Sequence, residues 1–299
     1  TMQWGTYFSA TVSSEGFGIS VTPGGEAVVV GIEANDGVAW KLNTTGTAFI
    51  YRTVMGVSVK NLTGRSVVVN SAGEAYITGS IAAAGLTTVP GSYNTVFGGG
   101  AFGITDAIAV KLSTTGAFIY STYLGGSSKD VGIDIDIDSF GNAYITGATA
   151  GNFPMQNAYD NSFNGGGSDV FVAKLNPTGT ALVYSTYVGG SLMDSDPSST
   201  QGNNDPAQGI VVNAAGEAFV TCRTTSVDFP VVNAYDASYN GGTSDIAVFK
   251  MNSAGSNLIY STYIGGNNYE DSKGITVNSC DEAIVLGSTK STDFPVTSC

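Results

Sequence analysis

The chain contains 299 residues, of which 42% are hydrophobic and only 12% are charged, and it carries 24 acidic residues against 11 basic ones. The resulting net charge of −13 leaves no cationic stripe that could neutralise phosphates, which excludes nucleic acid as an expected partner. Histidine is absent, so histidine-dependent triads and histidine-ligated zinc are excluded, and no run of about 20 apolar residues predicts membrane insertion.

Taken in chain order, the sequence repeats a set of four strand-like elements. The first is a short apolar run that ends in Asn or Asp, at Asn70, Asp138, Asn213 and Asn278. The second reads GEAYITG or a close variant, and its copies begin at Gly25, Gly73, Gly141, Gly216 and Asp281. The third reads AVKLSTTG or similar, with copies from Ala39, Ala109, Val172 and Val248. The fourth reads YSTYLGG or similar from Tyr120, Tyr184 and Tyr260, with weaker copies from Trp4 and Tyr51.

These elements predict an all-β fold with little helix. Four antiparallel strands joined by glycine-containing turns form one blade of a β-propeller. A β-solenoid is the alternative, but its coils are shorter and more regular than these units. We therefore predict one β-propeller domain over 1–299, of about five four-stranded blades. The repeat units are roughly 18–54, 66–123, 133–187, 209–263, and 274–299 plus 1–10.

The last predicted blade is incomplete. It contains a first and a second strand, and the N-terminal strand at 4–8 completes it as a fourth, so the third-strand slot is empty. Open strand edges invite pairing with another chain. Residues 288–299 contain Pro295, which cannot donate to a ladder, and they are a poor filler. We therefore expect completion from outside these residues, either by a sequence beyond Cys299 or by a strand that a neighbouring subunit donates. A protein partner or self-assembly is accordingly expected.

The same motifs resemble the bacterial secreted beta-propeller repeat family known as SBBP. The resemblance rests on DVFVAKLN at 169–176 followed by YSTYVGG, and on GNAYITG at 141–147 followed by Phe-Pro at 153–154. It covers nearly the whole chain and implies extracytoplasmic or cell-surface bacterial proteins, often large, with the propeller read as seven-bladed. This chain supplies only five units. The family carries no established catalytic residues to transfer.

The densest acidic cluster consists of Asp130, Asp134, Asp136 and Asp138. On an extended strand the last three lie on one face, where they could contribute oxygen ligands to Ca²⁺. The alternative is a solvated channel wall with a turn cap. Only one unit has the triplet, which favours the alternative. No cofactor is therefore expected, and Ca²⁺ is the one that this cluster could bind.

Two near-identical loops contain the best candidates for a ligand surface, because loops on rigid scaffolds carry function. They read NAYDNSFNGGGSD from Asn157 and NAYDASYNGGTSD from Asn233. Their aromatic residues, which could stack on a glycan or pack within the protein, are Tyr159, Phe163, Tyr235 and Tyr239.

The three cysteines divide by context. Cys222 replaces a glycine of the second element and is expected to be a buried free thiol. Cys280 lies in a turn and Cys299 ends the sequence. In an oxidising compartment these two are predicted to form a disulfide.

The leading functional hypothesis is a secreted or cell-surface structural and protein-interaction module that is not an enzyme. The alternative is a glycan-binding, lectin-like propeller. A hydrolase or lyase that uses two carboxylates ranks third, because no pair of acidic residues stands out in the sequence.

Overall fold

The computed structural model describes residues 13–56, 62–99, 103–195 and 208–296. Over these ranges the chain forms 18 β-strands and no helix, which confirms the all-β prediction. The strands make four four-stranded antiparallel sheets and one two-stranded sheet. The predicted strand at 4–8 lies outside the described residues. In the described part of the chain no helix is long and apolar enough to cross a membrane.

Strands that follow one another in the sequence pair with one another in each sheet. Sheet 1 contains β1 (Ser14–Val21), β2 (Ala27–Glu33), β3 (Asp36–Leu42) and β4 (Phe49–Val54). Sheet 2 contains β5 (Leu62–Val69), β6 (Ala75–Ile81), β7 (Asp106–Leu112) and β8 (Phe118–Leu124). Sheet 3 contains β9 (Asp130–Ile137), β10 (Ala143–Thr149), β11 (Asp169–Leu175) and β12 (Leu182–Val188). Sheet 4 contains β13 (Gln208–Val212), β14 (Ala218–Thr224), β15 (Asp245–Met251) and β16 (Leu258–Ile264). The final sheet contains β17 (Glu270–Val277) and β18 (Ala283–Thr289).

The turn between the first and second strands is fixed by the polar residue that closes the first strand. Asn213 Oδ1 accepts hydrogen bonds from the backbone N–H groups of Ala215 and Glu217, at 3.0 Å each. Asp138 makes the same pair of bonds in sheet 3. This side chain satisfies the turn backbone, and the following glycine adopts a positive φ, 76° at Gly216.

A lysine of the third strand covers an aromatic ring of the second strand in sheets 2, 3 and 4. The Lys250 ammonium lies 4.7 Å from the Phe219 ring centroid and 2.6 Å from a Glu217 carboxylate oxygen. Lys111 and Lys174 repeat the contact with Tyr76 and Tyr144. The stem of the lysine is therefore buried while its charge is paired or lies over a ring.

The chain divides into two compact units, and the division passes through sheet 3. The first comprises Thr1–Ala143 with Asn176–Ala181, and the second comprises Tyr144–Leu175 with Leu182–Cys299. In the first unit, the apolar faces of sheets 1 and 2 share one core that includes Val30, Met55 and Ile77.

In the second unit, sheet 4 packs against strands of sheet 3, and Val172, Val220 and Phe249 belong to their shared core. The phenylalanines of two Phe-Pro pairs complete this packing, since the Phe153 ring stacks on Phe171 at 4.1 Å and Phe229 is buried.

Candidate functional site

The four predicted metal-ligating aspartates do not converge. Asp134 accepts a hydrogen bond from Ser66 at 2.6 Å, and Asp136 accepts one from the neighbouring backbone N–H of Ile137 at 2.8 Å. Asp138 caps its turn, and Asp130 lies fully buried at the start of β9. Among the described residues, no group of three or more His, Cys, Asp or Glu side chains could hold a metal ion. The structure therefore gives the predicted calcium site no support.

Three of the four predicted ligand-binding aromatic residues pack against the protein. Phe163 meets Tyr187 edge to face at 6.1 Å, and Tyr239 meets Tyr263 in the same way at 6.1 Å. Tyr159 is half-buried against the shared core of sheets 3 and 4. Tyr235 differs, since 80% of its surface is exposed. Phe163, Tyr239 and Tyr159 therefore pack on other residues of the protein. Burial raises the pKa of Tyr159 and of Tyr239.

The structure confirms the prediction made for one of the three cysteines. Cys222 is fully buried as a free thiol, and burial raises its pKa well above the ordinary value. Cys280 is also free and is exposed in the turn after β17. Cys299 lies outside the described residues, so its predicted disulfide with Cys280 stays a prediction.

Sequence reasoning missed a set of buried aspartates that begin the third strands. Asp106, Asp169 and Asp245 are all fully buried. In each, Oδ2 accepts a backbone N–H from the preceding loop, with Gly98, Asn164 and Asn240 as donors at 2.7–2.8 Å. Oδ1 receives no hydrogen bond from any described residue. These three are called the strand-3 aspartates below.

A second set of buried acids faces them across the glycine pair that follows each fourth strand. These junction acids are Asp130, Asp194 and Glu270. Each accepts the backbone N–H of the second glycine, as Asp194 does from Gly190 at 2.6 Å. Hydroxyl groups at the end of the second strand also donate to Asp194 and Glu270, from Thr224 and Ser226 and from Thr289 and Ser291.

The first glycine of the pair lies between the two carboxylates and close to both of them, as Gly189 shows. A Cβ on Gly189 would lie 2.8 Å from Asp169 Cγ and 3.0 Å from Asp194 Oδ2. A Cβ on Gly125 would likewise lie 2.7 Å from Asp130 Oδ2 and 2.9 Å from Asp106 Cγ, whereas the close neighbours of Gly265 all belong to Asp245. The glycine α-carbon therefore occupies the space between the two carboxylates. The two acids contact the same glycine, and this contact joins one sheet to the next.

Burial changes the ionisation of these acids. It raises the pKa of Asp106 and of Asp245 to about 6 and that of Asp169 to about 7, where the charge on Asp194 adds to the effect. Burial also raises the pKa of Asp194 to about 6. For Glu270, hydrogen bonds from Ser291 and Thr289 outweigh burial, and its pKa lies below the ordinary value.

The repeat itself carried the signal for both sets. An acid follows the glycine pair at the same spacing in GGSSKD, GGSLMD and GGNNYE, and Thr-Asp or Ser-Asp precedes each third strand in sheets 2 to 4. The sequence does not show that the two kinds of acid form pairs, because the two members of each pair belong to different elements of the repeat.

The final sheet contains a second strand with a free edge among the described strands. β18 pairs with β17 and with no other described strand, whereas β2, β6, β10 and β14 each lie between two neighbours. Ile284 and Leu286 on one face of β18 are 55% and 69% exposed. An unpaired edge beside an apolar face is a common binding surface for an extended polypeptide.

Several solved structures are similar to this chain at low identity. A Xanthomonas campestris gluconolactonase has a TM-score of 0.45 at 12% identity, covering 91% of this chain and 69% of that one. A family PL25 ulvan lyase has a TM-score of 0.45 at 8% identity, covering 88% of this chain and 57% of that one. A Synechocystis apocarotenoid oxygenase has a TM-score of 0.43 at 8% identity, covering 92% and 56%. The chain therefore spans little more than half the length of the last two.

These three similar structures are named as enzymes, which contradicts the prediction that the chain is not an enzyme but assigns no activity to it. The absence of histidine excludes only mechanisms that require histidine. The comparison with curated proteins gave no match.

A family model does match within the chain. It covers residues 119–154, which include β9 and β10 together with most of β8. Residues 119–154 therefore carry a beta-propeller repeat of the SBBP family.

Proposed function

We propose that this chain is a β-propeller repeat module that binds protein through its final sheet, as part of an extracellular or cell-surface assembly. The observation that supports this function is the open edge of β18 beside the exposed side chains of Ile284 and Leu286. The extracellular location is supported by the resemblance of the repeat to a secreted family.

The chemistry of the partner segment follows from the third strands of the other sheets. In sheet 4 the second strand pairs with β15 from Ala218 opposite Met251 to Thr224 opposite Asp245. The third strands read DAIAVKL, DVFVAKL and DIAVFKM. The segment that fits β18 is therefore an extended, apolar strand that begins with an acid opposite Thr289.

The orientation of the β18 backbone identifies the residue that controls this edge. The Asn278 N–H donates to the Glu282 carbonyl at the hairpin. Because bonded and non-bonded pairs alternate along an antiparallel ladder, Thr276 and Ile284 form a bonded pair. Val285 therefore directs its N–H towards the open edge, and a proline there removes an edge donor while the β17 pairing is kept.

A peptide that copies the third strand tests the proposal. A labelled peptide of residues 243–252, TSDIAVFKMN, should bind the chain saturably in a fluorescence anisotropy titration. Val285→Pro should weaken binding by about tenfold or more, since 1.4 kcal/mol is a factor of ten and an edge hydrogen bond is lost. A scrambled peptide of the same composition should not bind.

Circular dichroism and thermal melting of Val285→Pro show whether the variant is folded. A second version of the peptide, N-methylated at alternate residues, tests the edge without changing the protein. Equal binding of all peptides, or no binding at all, would contradict the proposed function.

A further inference from the structure

The first strand of the chain exposes an apolar face whose counterparts are buried elsewhere. Ile19 occupies the repeat position of Ile135 and Ile210, three residues before the residue that closes the strand. Ile19 is 67% exposed, whereas Ile135 and Ile210 are each 4% exposed. The exposed apolar side chains on this face of β1 are called the β1 patch: Phe17, Ile19 and Val21.

Elsewhere in the repeat, a first strand is covered by the first two strands of the sheet before it. β5 packs on β1 and β2, and β17 packs on β13 and β14. Val67, at the position of Ile19, shares a core with Val28 and Val30 of β2. The surface that suits the β1 patch is therefore a first and second strand of this same repeat, and β17 and β18 are such a pair.

One glycine position shows that the final sheet has room for this contact. A Cβ on Gly18 would lie 2.8 Å from the Arg65 carbonyl of the following sheet, and one on Gly209 would lie 3.3 Å from the Gly274 α-carbon. Gly274 occupies the same repeat position in the final sheet, and a Cβ there would meet nothing within 4 Å. The close approach made in sheets 1 and 4 is thus available and unused at Gly274.

We infer that the β1 patch of one copy of this chain packs on β17 and β18 of a second copy, with its closest approach at Gly274. This inference rests on the proposed function, because it names a second copy as a protein that the final sheet binds. The two surfaces differ, so the contact is heterologous and head to tail. Such contacts build rings or open filaments.

The self-association test uses one variant on each surface, followed by sedimentation velocity. Ile19→Lys places a charge on the β1 patch. Gly274→Val blocks the close approach, and it should not disturb the free chain because Gly274 has open space and no positive φ. The control is Val227→Lys, since Val227 is also apolar and 67% exposed. We expect concentration-dependent oligomers for the wild type and the control, and monomers for each surface variant alone.

Mixing the two variants decides the geometry. Ile19→Lys keeps an intact final sheet and Gly274→Val keeps an intact β1 patch, so an equimolar mixture should form dimers and nothing larger. A mixture that remains monomeric would overturn the inference, as would a wild type whose self-association is weaker than about 1 mM. The peptide titration on Gly274→Val separates the two proposals, because the β18 edge of this variant is unchanged. If the variant binds the peptide and the wild type does not self-associate, the proposed function stands and only the head-to-tail contact is rejected.

Discussion

Sheet 4 and the final sheet begin with the same two-strand hairpin but bury it to different extents. The second strand of sheet 4 reads AFVTCRT, and Phe219 and Thr221 are fully buried. The second strand of the final sheet reads AIVLGST, and the equivalent Ile284 and Leu286 are mostly exposed. Sheet 4 has a third strand and a following sheet, and the final sheet has neither in the described part of the chain. The burial of a second strand is therefore supplied by its neighbours.

The largest expected difference concerns the aromatic position of the second strand. Phe219→Ala should lower the free energy of unfolding by about 3–5 kcal/mol, because it removes a buried ring from between β14 and Lys250. Ile284→Ala should cost less than about 1 kcal/mol, since the side chain is already largely in water. Urea unfolding of both variants measures the two values. Equal losses would show that β18 is covered in solution.

A smaller difference is expected between two glycines. Gly189→Ala should destabilise by about 1–3 kcal/mol, because its Cβ would meet the Asp169 and Asp194 carboxylates at 2.8–3.0 Å. Gly274→Ala should be neutral or stabilising by up to about 1 kcal/mol, since open space surrounds it and alanine restricts the unfolded chain. Thermal melting of the two variants measures this contrast, and a destabilised Gly274→Ala would contradict the open contact at that position.

The smallest expected effect is a change in pH dependence at the junction of sheets 3 and 4. The pKa of Asp169 is raised to about 7, so the folded protein binds more protons than the unfolded chain between about pH 4 and pH 7. Stability from this group is present at low pH and is lost as the pH rises through about 7. Asp169→Asn should therefore improve stability relative to wild type more at pH 8 than at pH 4.

Asp228→Asn is the matched control for that measurement, with the opposite sign. The Ser191 backbone N–H, and then its hydroxyl, hold the pKa of Asp228 below the ordinary value. Its contribution is present above the unfolded pKa and is lost as the pH falls. Asp228→Asn should lose stability relative to wild type at pH 8 and match it near pH 3, as followed by urea midpoints. The same sign for both variants would refute the assignment of Asp169.

The sequence by itself determined the strands, their order and the turns that join them. The features that form a strand and its turn lie within a few residues of one another, so the sequence shows them directly. They are the alternating apolar residues, the closing Asn213 and the positive-φ glycine at Gly216. The repeat made the pattern visible several times over. The same local reasoning placed Cys222 inside the protein.

Only the tertiary structure decided what lies beside each strand. Asp106 and Asp130 belong to different sheets and meet across Gly125, so neither looked like half of a pair in the sequence. Phe163 and Tyr239 are candidate ligand-binding aromatics in the sequence, and only the structure shows that their rings contact Tyr187 and Tyr263. Ile19 and Ile135 carry the same side chain at the same repeat position, yet one is 67% exposed and the other 4%. The burial and the pKa of a side chain, and whether it belongs to a binding surface, depend on neighbours that are distant in the sequence. The sequence pattern of a repeat is the same whether or not the next sheet is there to cover it.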